Sequence, residues 1–182
     1  LHDALPICLM GERMADLVCA KLGVTAQCRT AVEPLVEDTP PALLERARKV
    51  FPAQGLEQAE SRLGDSFAAT VERLEAAPWK KALLCECERV TIAEFEQVAS
   101  EPTSHSLNDI RRRTRMGMGT CQGSFCGLRG VGAVLEAKLL PAGMQACGTG
   151  ECDALPCGAP DLLQSFQQER WYGIRPVLWG SE

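Results

Sequence analysis

Apolar residues recur with helical spacing at the start of the chain. Between residues 9 and 22, an apolar position returns every three or four residues, and Gly23 then provides a stop. These apolar positions are Met10, Met14, Leu17, Val18 and Leu22. A single helix of this length is marginal in water, so its apolar face needs a packing partner. The pattern predicts an amphipathic helix at the beginning of a mainly α-helical protein.

Capping residues and prolines delimit the further helices. Thr91-Ile-Ala-Glu94 is a capping box that begins a helix, and Ser106 caps the next one. Prolines interrupt the pattern repeatedly between residues 24 and 80, so helices there are short. Beyond the first helix, the predicted helices cover residues 42–50, 66–76, 92–100, 107–115, 124–139 and 161–170.

Changes in composition divide the chain into four parts. Residues 1–28 carry the first helix, interpreted as the end of a larger domain, and residues 29–80 are interpreted as a linker or small helical region. Residues 81–139 hold the densest signals and are interpreted as a small domain. Residues 140–182 combine a cysteine-containing loop with a closing segment that contains Trp171 and Trp179. Such aromatic side chains contribute much buried area per residue, which favours a docking role for this segment.

Cysteine is the unusual feature of the composition. The 182 residues include ten cysteines but two histidines, so a metal site here depends mostly on thiolates. Soft thiolates favour zinc or iron–sulfur clusters over magnesium or calcium. The net charge of −5 argues against a nucleic-acid-binding protein. No apolar run approaches the ~20 residues that a membrane-spanning helix requires.

Two cysteine pairs predict a metal centre. Cys85-Glu-Cys87 is followed, after 33 intervening residues, by Cys121-Gln-Gly-Ser-Phe-Cys126. Alternate residues of an extended segment point to the same side, so Cys85 and Cys87 are expected to hold one metal between them. Gly123 allows the tight backbone that aims Cys121 and Cys126 inward. Four thiolates suit a 2Fe–2S cluster, with two on each iron.

The residues around the pairs support a cluster. Met116-Gly-Met-Gly-Thr120 forms a tight turn whose backbone N–H groups can donate to sulfur. The helix predicted from residue 124 would point its positive N-terminal end at the anionic cluster. The expected fold is a small helical 2Fe–2S domain of helix-turn-helix type, with ligands on two loops.

Other interpretations of the cysteines and arginines remain open. The four cysteines would also suit a zinc ion or, less favourably, serve as small buried apolar residues. Cys147, Cys152 and Cys157 are interpreted as metal-free, and His105 as exposed rather than as a catalytic base. The arginines between the two pairs either offset cluster charge or form a solvated helix face with internal salt bridges. These arginines are Arg111, Arg112, Arg113 and Arg115.

The sequence resembles a known family at several places. Cys-Glu-Cys-Glu-Arg-Val-Thr (85–91) and the run from Leu107 to Cys126 resemble the bacterioferritin-associated-ferredoxin-like 2Fe–2S domain. More narrowly, they are similar to the C-terminal part of the large subunit of anaerobic glycerol-3-phosphate dehydrogenases. Residues 9–23 resemble the last helix of that family's flavin domain, and residues 169–180 resemble its closing segment.

The resemblance implies a fragment of a respiratory, FAD-dependent oxidoreductase. The parent protein would oxidise glycerol 3-phosphate to dihydroxyacetone phosphate and pass electrons through partner subunits to the quinone pool. It would be cytoplasmic and peripheral at the inner face of the cell membrane. FAD would belong to the parent alone, since the G-x-G-x-x-G turn is absent here, and this fragment would not be catalytic. The alternatives are a cluster domain of another flavin dehydrogenase or oxidase, of amino-acid or opine type, and a structural docking module that binds zinc or no metal.

Overall fold

The computed structural model describes residues 5–29, 32–33, 37–139 and 158–179. The chain divides into two compact units, residues 1–38 and residues 39–182. The first unit contains α1 (Leu5–Leu22), which confirms the predicted amphipathic helix and extends it at its beginning. Met10, Met14 and Leu17 on this helix keep 60–70% of their surface exposed. The helix therefore presents an apolar face to solvent.

The second unit is built mainly from helices, as the sequence predicts. Its helices are α2 (Pro41–Val50), α3 (Leu56–Leu63), α4 (Phe67–Ala76), α5 (Ile92–Ala99), α6 (Leu107–Thr114), α7 (Cys126–Glu136) and α8 (Ala159–Trp179). Short 3-10 turns at Gly64–Ser66 and Pro78–Lys81 flank α4. Within the described residues, no helix is long and apolar enough to cross a membrane.

Two helices differ from the prediction. The sequence analysis missed α3, where Leu56, Ala59 and Leu63 share the inward side but charged and amide residues dominate the segment. The helix α8 runs to Trp179 instead of ending near residue 170, so Trp171 and Tyr172 lie on a helix. The loop with Cys147, Cys152 and Cys157 lies outside the described residues, and so does the side chain of Trp179.

A small hairpin carries the first cysteine pair. The strands β1 (Leu83–Cys85) and β2 (Val90–Thr91) pair antiparallel, with Leu83 opposite Thr91 and Cys85 opposite Val90. Cys85 is therefore buried at the end of a strand, whereas Cys87 lies in the turn between the strands and is exposed. The capping box predicted at Thr91 begins α5 directly after β2.

One hydrophobic core joins residues 39–80 to residues 81–139. The rings of Phe51 and Phe67 stack with centroids 5.7 Å apart. The same cluster of buried side chains includes Phe95 and Val98 on α5 and Leu107 on α6. Burying an aromatic or aliphatic side chain of this size contributes about 1.5–3 kcal/mol. The short helices of residues 39–80 therefore belong to the core on which the hairpin packs.

A buried ion pair links the hairpin to these helices. Arg62 of α3 and Glu94 of α5 meet at 2.7 Å, with 7% and 0% of their side chains exposed. Glu94 also accepts the backbone N–H of Thr91 at 2.7 Å, completing the capping box. Arg62 donates in addition to the carbonyls of Glu88 and Arg89, at 2.9 and 3.3 Å. The pair thus joins α3, the start of α5 and the turn that follows Cys87.

We expect Glu94→Ala to destabilise the protein by about 3–5 kcal/mol, because it leaves the buried Arg62 charge unpaired. The matched control is Glu75→Ala, which removes the exposed pair that Glu75 forms with Arg46 at 2.7 Å. That change is expected to cost less than ~1 kcal/mol. Urea unfolding followed by far-UV circular dichroism measures both. Equal losses for the two variants would contradict this account of the buried pair.

Candidate metal centre

The two predicted cysteine pairs meet at one place in the structure. Cys85 and Cys87 come from the hairpin, Cys121 from the loop after α6, and Cys126 from the first residue of α7. All four line a small cavity of about 30 Å³, together with Leu84, Glu86, Phe125 and Arg129. Cys85 and Cys126 are buried, whereas Cys121 is half-buried and Cys87 is exposed. The site therefore has an inner and an outer pair of sulfurs.

The sulfur contacts join one cysteine from each motif. The Sγ atoms of Cys87 and Cys121 lie 3.7 Å apart. Cys85 and Cys126 are hydrogen-bonded through their side chains. Two thiolates on one tetrahedral metal with bonds of about 2.3 Å would lie ~3.8 Å apart. The extended conformation expected for the whole Cys85-Glu-Cys87 motif is not observed, because Cys85 belongs to the strand and Cys87 belongs to the turn. The expectation that these two cysteines share one metal stays a prediction.

The arrangement of the sulfurs is not that of a completed site for one metal ion. Within the part of the chain that the structure describes, no group of three or more His, Cys, Asp or Glu side chains is arranged to hold one metal ion. The 3.7 Å separation of the Cys87 and Cys121 sulfurs matches two ligands of one tetrahedral metal.

Backbone N–H groups point at the sulfurs from both loops. Cys85 accepts from the N–H groups of Gly117, Glu88 and Cys87. Cys121 accepts from those of Gly123 and Phe125. Such donors stabilise negative charge on sulfur without bringing a cation close. The predicted role of the glycine turn as a source of sulfur-directed N–H groups agrees with these contacts.

These donors and the burial of the site shift the acidity of the thiols. The hydrogen bond from Cys126 outweighs burial and lowers the pKa of Cys85 to about 6. Donating that bond, together with burial, raises the pKa of Cys126 well above its usual range. Burial opposes ionisation of Cys121, but hydrogen bonds from Gly123, Cys87 and Phe125 leave its pKa lowered. Without metal and above about pH 6, the inner pair therefore holds one proton between its two sulfurs.

A glycine lets the two loops approach each other. A Cβ placed on Gly119 would lie 2.2 Å from the Cβ and 3.1 Å from the Sγ of Cys87. Real Cβ atoms do not approach other atoms at the first of these distances. Any side chain at residue 119 would therefore push Cys87 away from Cys121, so the close contact of the outer pair requires glycine at this position.

Ion pairs also link the two loops. Glu86 and Glu88, on either side of Cys87, pair with Arg129 and Arg115 at 3.0 Å. The Arg129–Glu86 pair is exposed and contributes at most ~1 kcal/mol, whereas Glu88 of the other pair is half-buried. Together the two pairs link the hairpin turn to the two ends of the second cysteine segment.

Two of the remaining arginines, Arg112 and Arg113, form salt bridges on the surface of α6. Arg112 pairs with Asp109 and Glu169, both at 2.9 Å, and Arg113 pairs with Glu101. The interpretation of this segment as a helix face with internal salt bridges is therefore confirmed for these two residues. Burial and the neighbouring Arg170 lower the pKa of Arg111.

Other candidate residues take no part in the four-cysteine cavity. His105 is exposed, as predicted, and its backbone N–H donates to Asp109 at 3.1 Å. Cys8, Cys19 and Cys28 belong to the first unit, where Cys8 and Cys28 are exposed. The sequence analysis missed Phe166 of α8, whose ring packs on glycines of the second cysteine segment. Its only sequence signal is an apolar position within a short predicted helix.

The fold and the site together define a small helical module with a four-cysteine centre. Several proteins similar to this chain are named as subunits of anaerobic glycerol-3-phosphate dehydrogenases. An anaerobic glycerol-3-phosphate dehydrogenase subunit of Haemophilus influenzae is 34% identical over 172 residues, covering 94% of this chain and 28% of that protein. The protein of the same name from Escherichia coli K12 is 36% identical over 174 residues, covering 94% and 29%.

More distant relatives extend the comparison. An anaerobic glycerol-3-phosphate dehydrogenase subunit of Haloferax volcanii is 33% identical over 176 residues, which cover 96% of this chain and 26% of that protein. Hydrogen cyanide synthase subunit HcnB of Pseudomonas aeruginosa is 31% identical over 97 residues, 47% of this chain. The chain thus spans less than a third of the length of the dehydrogenase subunits it matches. No protein-family model and no solved structure matches it.

We expect Gly119→Ala to destabilise the protein by about 1–3 kcal/mol, because the new methyl group overpacks against Cys87. The matched control is Gly132→Ala on α7, where a Cβ meets nothing within 4 Å. Since alanine suits a helix better than glycine, this control is expected to gain about 0.5–1 kcal/mol. Urea unfolding of the two variants measures the difference. A neutral Gly119→Ala would show that the loops do not need their close contact.

The coupled inner thiols predict a pH dependence of the metal-free protein. The pKa of Cys85 is lowered to about 6 in the native state, whereas an unfolded thiol has a pKa of ~8.5. Between these two pH values, Cys85 and Cys126 together bind one proton in the native state and two in the unfolded state. Because the unfolded state binds more protons in this window, stability rises with pH. Above the window the unfolded thiols are ionised while Cys126 stays protonated, so the gain reverses.

Urea unfolding of chelator-treated, reduced protein at several pH values tests this dependence. The matched variant Cys126→Ala removes the hydrogen-bond donor, so it is expected to flatten the rise that wild type shows. Cys8→Ala, a change in the first unit, should leave the rise intact. Parallel pH profiles for wild type and Cys126→Ala would contradict the assigned coupling.

Proposed function

We propose that this chain is the iron–sulfur C-terminal portion of a respiratory, FAD-dependent glycerol-3-phosphate dehydrogenase. Cys85, Cys87, Cys121 and Cys126 would hold a 2Fe–2S cluster. The observation that carries the proposal is the convergence of these four sulfurs, as two pairs, on one cavity. Similarity to dehydrogenase subunits along 94% of the chain supports the choice of parent protein.

The donor set suits iron and sulfide better than a lone zinc ion. A 2Fe–2S cluster takes two thiolates on each iron, which corresponds to the inner and outer sulfur pairs. A zinc ion would need four sulfurs at one tetrahedral centre, whereas the sulfurs of Cys87 and Cys121 lie together as one pair, 3.7 Å apart. The lowered pKa of Cys85 and of Cys121 also favours the thiolate form that either metal requires.

The chain's own residues would supply binding, insulation and charge compensation. When bound, a cluster of this kind supplies one-electron transfer. Gly117, Gly123 and Phe125 donate N–H groups to its sulfur ligands, which favours the more negative, reduced state. Leu84 excludes water on the buried side, whereas the exposed Cys87 leaves the outer pair accessible. Electrons would therefore enter or leave near Cys87.

The dehydrogenase chemistry itself is assigned to the rest of the parent polypeptide. Oxidation of glycerol 3-phosphate to dihydroxyacetone phosphate releases two electrons and two protons, which FAD would accept there. The relatives are named as subunits, which implies partner chains in their complexes. We propose that such partners pass the electrons to the quinone pool and hold the protein at the inner face of the cell membrane. This chain alone would not oxidise substrate.

A cluster domain of a different flavin enzyme is the second candidate. The match to a hydrogen cyanide synthase subunit supports it, since a similar segment occurs in a protein of another name. That similarity covers 47% of this chain, whereas the dehydrogenase subunits match 94%. The longer match favours glycerol-3-phosphate dehydrogenase.

Anaerobic purification of the chain tests the cluster directly. We expect a coloured protein with the visible absorption of a 2Fe–2S centre, about two irons and two sulfides per chain, and an electron paramagnetic resonance signal after reduction. A colourless protein that binds one zinc ion, or binds no metal after reconstitution with iron and sulfide, would overturn the proposal and leave the docking-module interpretation.

The ligand assignment is tested by single substitutions. We expect Cys121→Ser to lose the visible absorption and to lower the stability of residues 81–139 relative to the cluster-bound wild type, because binding energy at such a site also contributes to folding. Cys19→Ser in α1 is the matched control and should retain both the absorption and the iron. Retention of the spectrum and of wild-type stability by Cys121→Ser would contradict the assignment.

A further inference from the structure

A phenylalanine from the C-terminal helix is inserted among three glycines beside the cysteine loops. Phe166 of α8 keeps 1% of its surface exposed. A Cβ on Gly123 would lie 2.6 Å from its Cε1 atom, one on Gly127 would lie 3.0 Å from the same atom, and one on Gly117 would lie 3.1 Å from its Cζ atom. The ring therefore fills the space that three missing side chains leave.

Two of these glycines carry the amide donors of the site. The N–H of Gly117 donates to Cys85, and the N–H of Gly123 donates to Cys121. Cys85 belongs to the inner sulfur pair and Cys121 to the outer pair. The ring of Phe166 thus packs against one glycine that donates to the inner sulfur pair and one that donates to the outer pair.

The glycines depend on this packing for their orientation. Gly117 and Gly123 adopt φ values of +74° and +89°. Glycine populates positive and negative φ about equally, so these residues have little intrinsic preference for the observed conformation. They also lie back to back, since a Cβ on Gly117 would be 3.2 Å from the Cα of Gly123. A flexible backbone keeps a fixed direction for its N–H groups when a rigid neighbour holds it, and the Phe166 ring is that neighbour.

The ring also forms one wall of a pocket beside the second cysteine loop. Phe166 and Gly123 line this pocket of about 510 Å³, which lies between α8 and the loop at residues 122–124. Removing the ring would extend the pocket further along the glycines. Water entering there would compete for the amide donors and raise the local dielectric constant.

We propose that Phe166 is a positioning residue that fixes the sulfur-directed N–H groups of Gly117 and Gly123 and thereby sets the reduction potential of the centre. This inference rests on the proposed function, because it concerns the cluster assigned to the four cysteines. The physical link is that N–H donors aimed at sulfur stabilise the reduced state and raise the potential. Loss of their alignment therefore lowers it.

The test compares two truncations on the same helix. Phe166→Ala removes the ring, whereas Leu162→Ala removes a side chain that is equally buried, one turn earlier, but is not among the nearest neighbours of the three glycines. Redox titration of the holoprotein followed by electron paramagnetic resonance is expected to give a more negative potential for Phe166→Ala than for wild type. Leu162→Ala should stay at the wild-type value. Equal potentials for Phe166→Ala and wild type would overturn the proposal.

A second measurement does not depend on the cluster. Amide hydrogen exchange, read at residues 117 and 123, is expected to accelerate in Phe166→Ala more than in Leu162→Ala. If wild type bound no iron, the proposed function would fail, and unequal exchange would still support the positioning of the two amides. Equal acceleration in both variants would reduce Phe166 to an ordinary packing residue and overturn the inference.

If Phe166→Ala does not fold, two substitutions that compensate each other in volume provide an alternative test. Gly127→Ala adds a methyl group 3.0 Å from the ring and is expected to displace it, which lowers the potential. Combining this change with Phe166→Leu, a narrower side chain, should restore the potential towards the wild-type value. Additive losses in the double variant would contradict the proposal.

Discussion

The close approach of two loops at Gly119 is the contact on which the candidate site depends. Cys87 and Cys121 are separated by 33 residues, yet their sulfurs lie 3.7 Å apart. Such proximity requires the backbone of the second loop to lie directly against the side chain of Cys87, and a Cβ at residue 119 would block it. The rest of the second unit can be understood as the packing that holds these two loops in place.

That packing works from two sides. Below the hairpin, Arg62 and Glu94 tie α3, the cap of α5 and the turn after Cys87 into one buried network. Beside the second loop, α8 inserts Phe166 among glycines that are otherwise free to change conformation. Each loop is thus supported by a helix distant in sequence, which explains why 39–80 and 158–179 belong to the same compact unit as the cysteines.

Local signals in the sequence predicted the helix caps, and the two cysteine motifs predicted one common site, but other non-local contacts were not predicted. The capping box at Thr91 and the cap at Ser106 depend on neighbours three residues away, so they are visible in the sequence and are confirmed. The sulfur pairing, in contrast, depends on how a strand end and a turn meet a distant loop. Likewise α3 carries few apolar residues, and Phe166 is important because of glycines more than thirty residues away. Periodicity within a window contains no information on such contacts.

The distribution of charge suggests how a bound anionic centre would be compensated. The arginines beside the site already neutralise carboxylates, since Arg115 pairs with Glu88 and Arg129 with Glu86. Little cationic charge is therefore left for the sulfurs, and compensation passes to the neutral N–H dipoles of two glycine-containing turns. Exposed charges are screened by salt, whereas buried dipoles are screened much less. The cluster proposed for these sulfurs would therefore keep its potential over a wide range of ionic strength, because its compensation would come from backbone dipoles rather than from surface charges.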